Sequence, residues 1–327
     1  MIAIEDIRAA ADRIAGKLHR TPLLSATTLG ERAGVKLQLK CECFQKTGSF
    51  KPRGALNKIL SLGDAERRRG LVTVSAGNHA QATAWAARVV GAPCVVVMPT
   101  DAPRSKLDAT RGYGAEIVLH DDRTTLFDRM HEVERERGLT FVHPFDDPVG
   151  LAGAGTVGLE LVEDSRGDGG VDVVIVPVGG DGLLAGVASA VKQLSPKTRL
   201  VAVELAAGPG LGPALAAGKP VPAPRPAGTL CDGMTPPFVG ANPLAIAREA
   251  VDEIALVTEA EVIAGLRLLM TRAKLYVEGS GAAATAALLA GKVHVAPGAR
   301  VVALVSGGNV DPERLLAAVT QEQGGAS

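Results

Sequence analysis

The sequence has few aromatic residues, no excess of either charge and no long apolar run, and each shortage excludes a class of protein. Aromatic side chains make up 3% of the 327 residues, and Lys+Arg and Asp+Glu both number 35. Without net charge or a basic stripe, the chain is not suited to a phosphate backbone, so we expect no nucleic-acid partner. No stretch reaches about eighteen uninterrupted apolar residues, and charges interrupt the N-terminus where a signal peptide needs an apolar run. We therefore expect a cytoplasmic protein with no membrane partner.

Metal ions and disulfides are not expected either. The four cysteines, Cys41, Cys43, Cys94 and Cys231, include a Cys-x-Cys pair but no Cys-x-x-Cys. This spacing indicates buried reduced thiols. Small and apolar residues are abundant instead, with 46% hydrophobic residues and 39 glycines. Such a composition is typical of α/β proteins with tight turns.

Short β-branched runs alternate with amphipathic stretches and form two successive βα series. The alternation predicts an α/β fold with two doubly wound open-sheet lobes. We predict a small domain at 69–146 and a large domain formed by 1–68 with 147–327. Residues 206–228 are rich in Gly, Pro and Ala without periodicity, which predicts a long loop. The predicted strands are 71–74, 94–98, 116–119, 140–142, 171–178, 200–205, 253–257 and 300–305, and the predicted helices include 52–62, 79–90, 104–111, 125–137, 259–273 and 280–290.

One lysine, Lys51, has an unusual setting. Because it precedes Pro52, and proline is favoured at the first helical position, we expect Lys51 on a loop that opens into a helix. Lys46, Arg53 and Lys58 place positive charge nearby, which favours the neutral amine. A neutral lysine amine can form an imine with an aldehyde. The alternative is a solvated surface lysine before a helix.

A glycine loop follows the strand predicted at 171–178 and opens a helix. Backbone N–H groups at such a turn converge with the helix dipole on an anion, usually a phosphate. A dinucleotide loop is an alternative, because Gly180, Gly182 and Gly186 approximate its spacing and Glu204 lies where a ribose-binding acid would be. A tight turn without a ligand is the third possibility. The candidate loop residues are Gly179, Gly180, Asp181, Gly182 and Leu183.

Two further motifs lie where predicted strands end. In Ser75-Ala-Gly-Asn-His79, Ser75 and Asn78 can cap the following helix, whose first N–H groups would bind a carboxylate. The motif Ser306-Gly-Gly-Asn309 ends the last strand, at the edge where ligands gather in parallel sheets. An imine-forming lysine, a phosphate site, a carboxylate site and a hydroxyl are together what a pyridoxal phosphate enzyme acting on amino acids needs.

The four motifs, in this order, resemble the threonine dehydratase and serine racemase family of pyridoxal-phosphate enzymes, of the tryptophan-synthase-β fold type (fold type II). The resemblance extends from Thr21-Pro-Leu-Leu24 to the end of the chain. It implies that Lys51 binds the cofactor covalently, Phe50 packs on it and Asn78 contacts the pyridine 3-oxygen. It also implies that residues 179–183 bind the phosphate and that Ser306 faces the ring nitrogen. The implied substrate-binding residues are Ser75, Ala76, Gly77 and His79.

The function implied by the resemblance is that of an ammonia-lyase. Such an enzyme converts a β-hydroxy α-amino acid, for example L-threonine or L-serine, into a 2-oxo acid and ammonia by α,β-elimination. Ser306 opposite the ring nitrogen would leave the ring unprotonated and favour elimination over transamination. Racemases of the family carry a serine at the position of Ala76, so we expect little racemisation. We also expect a homodimer, no metal site and no C-terminal regulatory domain.

Two residues depart from the family's pattern and keep alternatives open. The phosphate loop of the family is commonly four glycines, but Asp181 is the third residue here, and its carboxylate would repel a phosphate if it pointed inward. Ala154 replaces the glutamine of a Gly-Gln-Gly segment. The alternatives are a dehydratase for 3-hydroxyaspartate, phenylserine or a hydroxyectoine-derived amino acid, a serine racemase, a β-replacement synthase, or a protein that binds the cofactor without turnover.

Overall fold

The computed structural model describes residues 1–320, and the last residues of the predicted large domain, 321–327, lie outside that range. The strands are β1 (Leu23–Ser25), β2 (Lys36–Cys41), β3 (Leu71–Val74), β4 (Cys94–Pro99), β5 (Glu116–His120), β6 (Thr140–Phe141), β7 (Val173–Pro177), β8 (Arg199–Leu205), β9 (Glu253–Val257) and β10 (Arg300–Val305). The helices are α1 (Ile4–Ile14), α2 (Thr27–Ala33), α3 (Lys51–Ser61), α4 (Asp64–Arg69), α5 (Asn78–Val90), α6 (Arg104–Gly112), α7 (Leu126–Arg137), α8 (Pro148–Ser165), α9 (Gly182–Leu194), α10 (Leu211–Ala217), α11 (Ala241–Ala250), α12 (Glu259–Leu268), α13 (Gly279–Leu289) and α14 (Pro312–Thr320).

The strands form two open sheets. The larger sheet has the order β1-β2-β10-β7-β8-β9, and the smaller has the order β5-β4-β3-β6. All pairs are parallel except β1 with β2. The predicted α/β fold with two open-sheet lobes is therefore confirmed. The smaller sheet draws only on strands between Leu71 and Phe141, and we keep 69–146, and 1–68 with 147–327, as the proposed domains.

Both faces of each sheet are buried, which explains the continuous apolar runs of the strands. Along β7, Val173 and Ile175 pack in one core with α12 and α13, whereas Val174 and Val176 pack in the other with α8, α9 and α11. In the smaller lobe, α3 and α5 cover one face and α7 covers the other. Successive side chains of a strand point to opposite faces, so each strand contributes to two cores.

Helix α3 lies between the lobes and carries Lys51 at its start. Its side chains join the core of the smaller lobe, while its backbone approaches α8. A Cβ atom built at Gly153 would lie 2.4 Å from the carbonyl oxygen of Arg53, and one at Gly54 would lie 2.8 Å from that of Gly150. These glycines let the two helices touch, so the position of Lys51 is fixed by both lobes.

Two predictions of local structure are wrong. The helix begins at Lys51 itself, so Lys51 is not a loop residue before the helix. The predicted loop 206–228 contains α10, whose first N–H groups, those of Leu211 and Gly212 with that of Gly210 before them, donate to the Glu204 carboxylate at 2.6–3.0 Å. The carboxylate that stabilises this helix start belongs to a residue of β8, so no local sequence pattern predicts the helix.

Cys41, Cys94 and Cys231 are buried free thiols, as predicted, whereas Cys43 is partly exposed. Within residues 1–320, no helix combines the length and the apolar composition needed to cross a membrane. In the same range, no group of three or more His, Cys, Asp or Glu side chains is placed to hold a metal ion.

Candidate active site

A cavity of about 670 Å³ lies between residues of the two lobes, and every candidate site residue lines it. Loops at the carboxyl ends of β3, β7 and β10 contribute its walls, together with the start of α3. These loops follow strands of both sheets, at the carboxyl ends where ligands bind in parallel sheets. The lining set comprises Phe50, Lys51, Ser75, Ala76, Gly77, Asn78, His79, Gly179, Gly180, Asp181, Gly182, Leu183 and Ser306.

The Lys51 amine is held in the wall of this cavity. Its Nζ donates to the carbonyl oxygen of Pro144 at 2.8 Å and lies 5.0 Å from the centre of the Phe50 ring. Burial lowers the pKa of Lys51 to about 8. Compared with an ordinary lysine, a pKa of about 8 raises the neutral, nucleophilic fraction at neutral pH by about 300-fold.

The cause that the sequence suggested for this lowered pKa is wrong. The Arg53 guanidinium donates to the carboxylates of Glu42 and Glu160, and the Lys58 ammonium pairs with Asp147. The charges of Arg53 and Lys58 are therefore compensated by carboxylates. Desolvation of Lys51, and not the charge of Lys46, Arg53 or Lys58, lowers its pKa.

The loop before Lys51 is joined to the loop that carries Ser306. The Phe50 N–H donates to the Ser306 carbonyl at 3.1 Å, and the Gly308 N–H donates to the Gly48 carbonyl at 2.9 Å. Gly48 has φ +74°, the left-handed region that glycine enters without strain. These backbone bonds hold the segment that carries Lys51 next to the segment that carries Ser306.

Residues 179–183 form a cup of backbone N–H groups at the start of α9. Among the described residues, none of these N–H groups has a hydrogen-bond acceptor. A Cβ atom at Gly180 would lie 2.4 Å from the Phe145 ring, and one at Gly179 would lie 2.7 Å from the Gly233 carbonyl oxygen. The glycines thus bring bare backbone close to its neighbours, and free N–H groups at a helix start suit a phosphate.

Asp181 is the residue of the cup that would repel a phosphate if its carboxyl group were ionised. It has φ +67° and is 2% exposed. Neither carboxylate oxygen has a hydrogen-bond partner within the described part of the chain. Burial, with a smaller contribution from the Glu204 carboxylate, raises the pKa of Asp181 well above its usual range. A neutral Asp181 carries no charge to repel a phosphate, so the aspartate is compatible with the cup in its protonated form.

We expect Asp181→Asn to flatten the pH dependence of stability in the cofactor-free protein. The folded state binds the Asp181 proton more tightly than the unfolded state, so the free energy of unfolding falls as pH rises above about 4. The Asp181→Asn variant has no such proton to lose. Its free energy of unfolding should therefore rise relative to that of the wild type by up to about 1.4 kcal/mol for each pH unit above about 4. Urea unfolding at about pH 5 and about pH 8 measures the gain. Parallel changes in the two proteins would show that Asp181 is ionised in the folded state.

The turn 75–79 does not use its side chains as predicted. Gly77 precedes α5 as the capping residue, and the Ser75 hydroxyl accepts from the Gly77 N–H, at 3.1 Å, rather than from the first turn of the helix. The Asn78 amide instead donates to Glu278 at 2.7 Å and accepts from Asn309 at 2.8 Å. Helix capping by Ser75 and Asn78 is therefore wrong, because Asn78 is held by two residues that are distant in sequence.

The His79 imidazole is directed to backbone rather than to a ligand. Its Nε2 lies 3.1 Å from the Val142 carbonyl oxygen and 3.3 Å from the Thr83 hydroxyl. Burial lowers the pKa of His79 to about 3, so the ring is neutral. What His79 presents at the start of α5 is its backbone N–H.

Four polar residues around the turn were not among the predicted site residues. Burial raises the pKa of Glu278 to about 7, and its Oε1 accepts from Asn78. Asn309, which also donates to the Thr47 carbonyl, belongs to the Ser306 motif and could have been identified from it. Lys106 and Asp232 form an ion pair and line the cavity. They lie on elements far apart in sequence, and no local pattern marks them.

The residues fit pyridoxal phosphate better than a dinucleotide. The Glu204 carboxylate already accepts three backbone N–H groups, so it is not available to a ribose. A Cβ atom at Gly186 would lie 2.5 Å from the Gly155 nitrogen, so this glycine serves the packing of α9 on α8. The amine of Lys51 beside a small N–H cup is suited to an aldehyde that carries a phosphate.

Comparison with known proteins agrees with this fit. The family profile "Pyridoxal-phosphate dependent enzyme" matches residues 14–307. The catabolic L-threonine dehydratase of Escherichia coli K12 is 42% identical over 96% of this chain and 95% of its own length. The L-threonine ammonia-lyase of Thermotoga maritima is 41% identical over 95% of this chain and 76% of its own length.

Solved structures give the same picture. The threonine deaminase of T.th. is similar with a TM-score of 0.89 and 42% identity, covering 94% of this chain and 99% of that one. Maize serine racemase is similar with a TM-score of 0.90 and 37% identity, covering 97% of each chain. With its fold, its lysine and its N–H cup, the chain belongs to the threonine dehydratase and serine racemase family of pyridoxal-phosphate dependent enzymes.

Proposed function

We propose that this protein is a pyridoxal-phosphate dependent ammonia-lyase, which converts L-threonine, L-serine or a related β-hydroxy amino acid into a 2-oxo acid and ammonia. The observation that carries the proposal is the Lys51 amine, held in the cavity wall with its pKa lowered to about 8. It lies in one cavity with an N–H cup for a phosphate and a helix start for a carboxylate. The dehydratases and the deaminase at 41–42% identity support the same reaction.

The residues that would hold the cofactor line the cavity. Lys51 would bind its aldehyde covalently, the Phe50 ring would pack on it, and the N–H groups of 179–183 would bind the phosphate. Asn78 has one amide N–H left for the 3-oxygen, since the other goes to Glu278. When bound, pyridoxal phosphate supplies an electron sink for the charge that develops at the α-carbon.

The Ser306 hydroxyl would face the ring nitrogen of the cofactor. It is buried, and its nearest hydrogen-bond contact is the Ser280 carbonyl at 3.4 Å. A neutral hydroxyl does not stabilise a positive charge on a ring nitrogen as a carboxylate would. This arrangement favours loss of the β-hydroxyl over reactions that need a long-lived carbanion.

Lys51 also suits the proton transfers of the reaction. A general base works best when its pKa is near the working pH, and about 8 meets that condition. Replacement of Lys51 by the substrate amine at the cofactor aldehyde would free Nζ. The free amine would then take the α-proton, and the resulting ammonium would return a proton to the leaving hydroxyl. Water leaves, and hydrolysis of the enamine product gives the 2-oxo acid and ammonia.

The substrate carboxylate would bind at the turn 75–79. Among residues 1–320, the N–H groups of Ala76, Asn78 and His79 have no acceptor. They lie at the start of α5, where the helix dipole favours negative charge. Binding there would orient the α-carbon toward the Lys51 amine.

The proposal predicts that Ala76→Ser raises racemisation. A racemase needs a second proton donor on the face of the α-carbon opposite the lysine, and the methyl group of Ala76 cannot donate a proton. The wild type should release ammonia from L-serine with almost no D-serine. In the variant, D-serine should rise at least about 10-fold, as is typical for a positioned acid or base. Chiral chromatography of the remaining serine measures the change, and abundant D-serine from the wild type would contradict the account.

A screen of hydroxy amino acids tests the function itself. The loaded protein is incubated with threonine, serine, 3-hydroxyaspartate and phenylserine, and ammonia and 2-oxo acid are measured. Release of ammonia from threonine or serine supports the proposal. Release only from 3-hydroxyaspartate or only from phenylserine would identify that amino acid as the substrate of the same reaction. Bound cofactor without product from any of them would identify a binding protein without turnover. The predicted homodimer and cytoplasmic location remain proposals, and light scattering would test the first.

A further inference from the structure

Lys106 is a buried ammonium in the cavity that the reaction described above does not use. It lies on α6 of the smaller lobe and is 7% exposed. Its Nζ pairs with the carboxylate of Asp232 from the larger lobe at 2.5 Å. The ion pair therefore spans the two lobes across the cavity.

The ammonium lies directly against the turn where the substrate carboxylate would bind. A Cβ atom built at Gly77 would be 3.4 Å from Lys106 Nζ, so the amine lies within van der Waals reach of the turn. A side chain at position 77 would fill this space. Because Gly77 has no side chain, a small group bound at the turn can reach the Lys106 ammonium.

Lys106 has the capacity to bind a second carboxylate. An ammonium has three donors, and a single hydrogen bond to Asp232 uses one of them. Glu278 also interacts with Lys106, but burial raises the pKa of Glu278 to about 7, so its negative charge is partial at neutral pH. The Asp232 side chain is 35% exposed, which weakens its hold on the ammonium relative to a dry pair.

We propose that Lys106 is a substrate-binding residue whose ammonium binds the α-carboxylate of the amino acid, while Asp232 orients the ammonium. This inference rests on the proposed function, since it assumes an amino acid at the turn 75–79. The helix start alone provides neutral N–H donors, and Lys106 adds a full charge that a carboxylate can use and a carboxamide cannot.

The difference between acid and amide provides the test. Binding of L-threonine and of L-threoninamide to the loaded protein is followed by the change in cofactor absorbance. Lys106→Met should weaken the binding of L-threonine by about 10- to 100-fold, as expected for a lost hydrogen bond to a charged group. The same substitution should weaken the binding of L-threoninamide by no more than about 2-fold. Lys106→Arg keeps the charge and should restore part of the preference. Arg104→Met, on the same helix but exposed, is the matched control and should change neither affinity.

Two outcomes would overturn the inference. Equal weakening of acid and amide in Lys106→Met would mean that the ion pair only holds the lobes together, and unchanged affinities would mean that Lys106 contacts no substrate. Lys106→Gln gives the same comparison if the methionine variant does not fold. A wild type that prefers the acid but releases no ammonia would count against the lyase and leave the role of Lys106 supported.

Discussion

Lys51→Ala should abolish turnover while leaving a folded protein. The variant loses both the amine that would bind the cofactor and the base that would take the α-proton, so kcat should fall by at least about 10⁴-fold. The N–H cup at 179–183 is unchanged, so the phosphate can still bind. Ammonia release from L-threonine gives the rate, and the cofactor content of the purified variant shows whether binding survives.

Reduction by borohydride and peptide mapping identify the lysine independently of activity. In the wild type, the reduced cofactor should be attached to Lys51. Lys46→Ala is the matched control, because Lys46 lies in the same segment outside the cavity lining and its loss should leave turnover unchanged. Attachment to Lys46, or full activity in Lys51→Ala, would refute the assignment.

Arg53→Met should destabilise the fold more than any loss of a surface charge. Arg53 is 1% exposed and donates to Glu42 and Glu160, and Lys40 also donates to Glu160. Without Arg53, the fully buried Glu42 carboxylate loses its cation, which typically costs about 3–5 kcal/mol. Most domains have a free energy of unfolding of about 5–15 kcal/mol, so this is a large fraction. Urea unfolding measures it.

The matched control is an ion pair of similar geometry at the surface. Arg137 donates to both oxygens of Glu116 at 2.8 and 2.9 Å, and its side chain is 40% exposed. Arg137→Met should cost less than about 1 kcal/mol. If the two variants lose equal stability, the Arg53 cluster is not the buried network described above. A large loss for Arg53→Met should also lower cofactor occupancy, since Arg53 lies two residues after Lys51 in α3.

Much of the fold could be predicted because its strands are buried on both faces. The β-branched runs at β3, β4, β7 and β10 are short, apolar and bounded by glycine turns, and such runs are typical of parallel sheets. The motifs that follow β3, β7 and β10 lie at the carboxyl ends of strands in the two sheets, where ligands bind in parallel sheets, and all of them line one cavity. The strand pattern accounts for the predicted site residues that follow these strands, whereas Phe50 and Lys51 were identified from the motif at the start of α3.

The remaining features depend on contacts between distant parts of the chain. Helix α10 begins at the carboxylate of Glu204 on another strand, and the orientation of Asn78 depends on Glu278 and Asn309. The sequence showed cations around Lys51, but it did not show the carboxylates that compensate them. The effect of burial on the pKa of Lys51 and Asp181 could be known only once the packing was known.

The most direct test of the central claim is the stoichiometry of the reaction with L-threonine. The loaded wild type should release ammonia and the corresponding 2-oxo acid in equal amounts, and Lys51→Ala should release neither. Addition of a thiol to O-acetylserine faster than ammonia release from any hydroxy amino acid would identify a β-replacement synthase instead. That result, or the absence of product while the cofactor is bound to Lys51, would contradict the ammonia-lyase account.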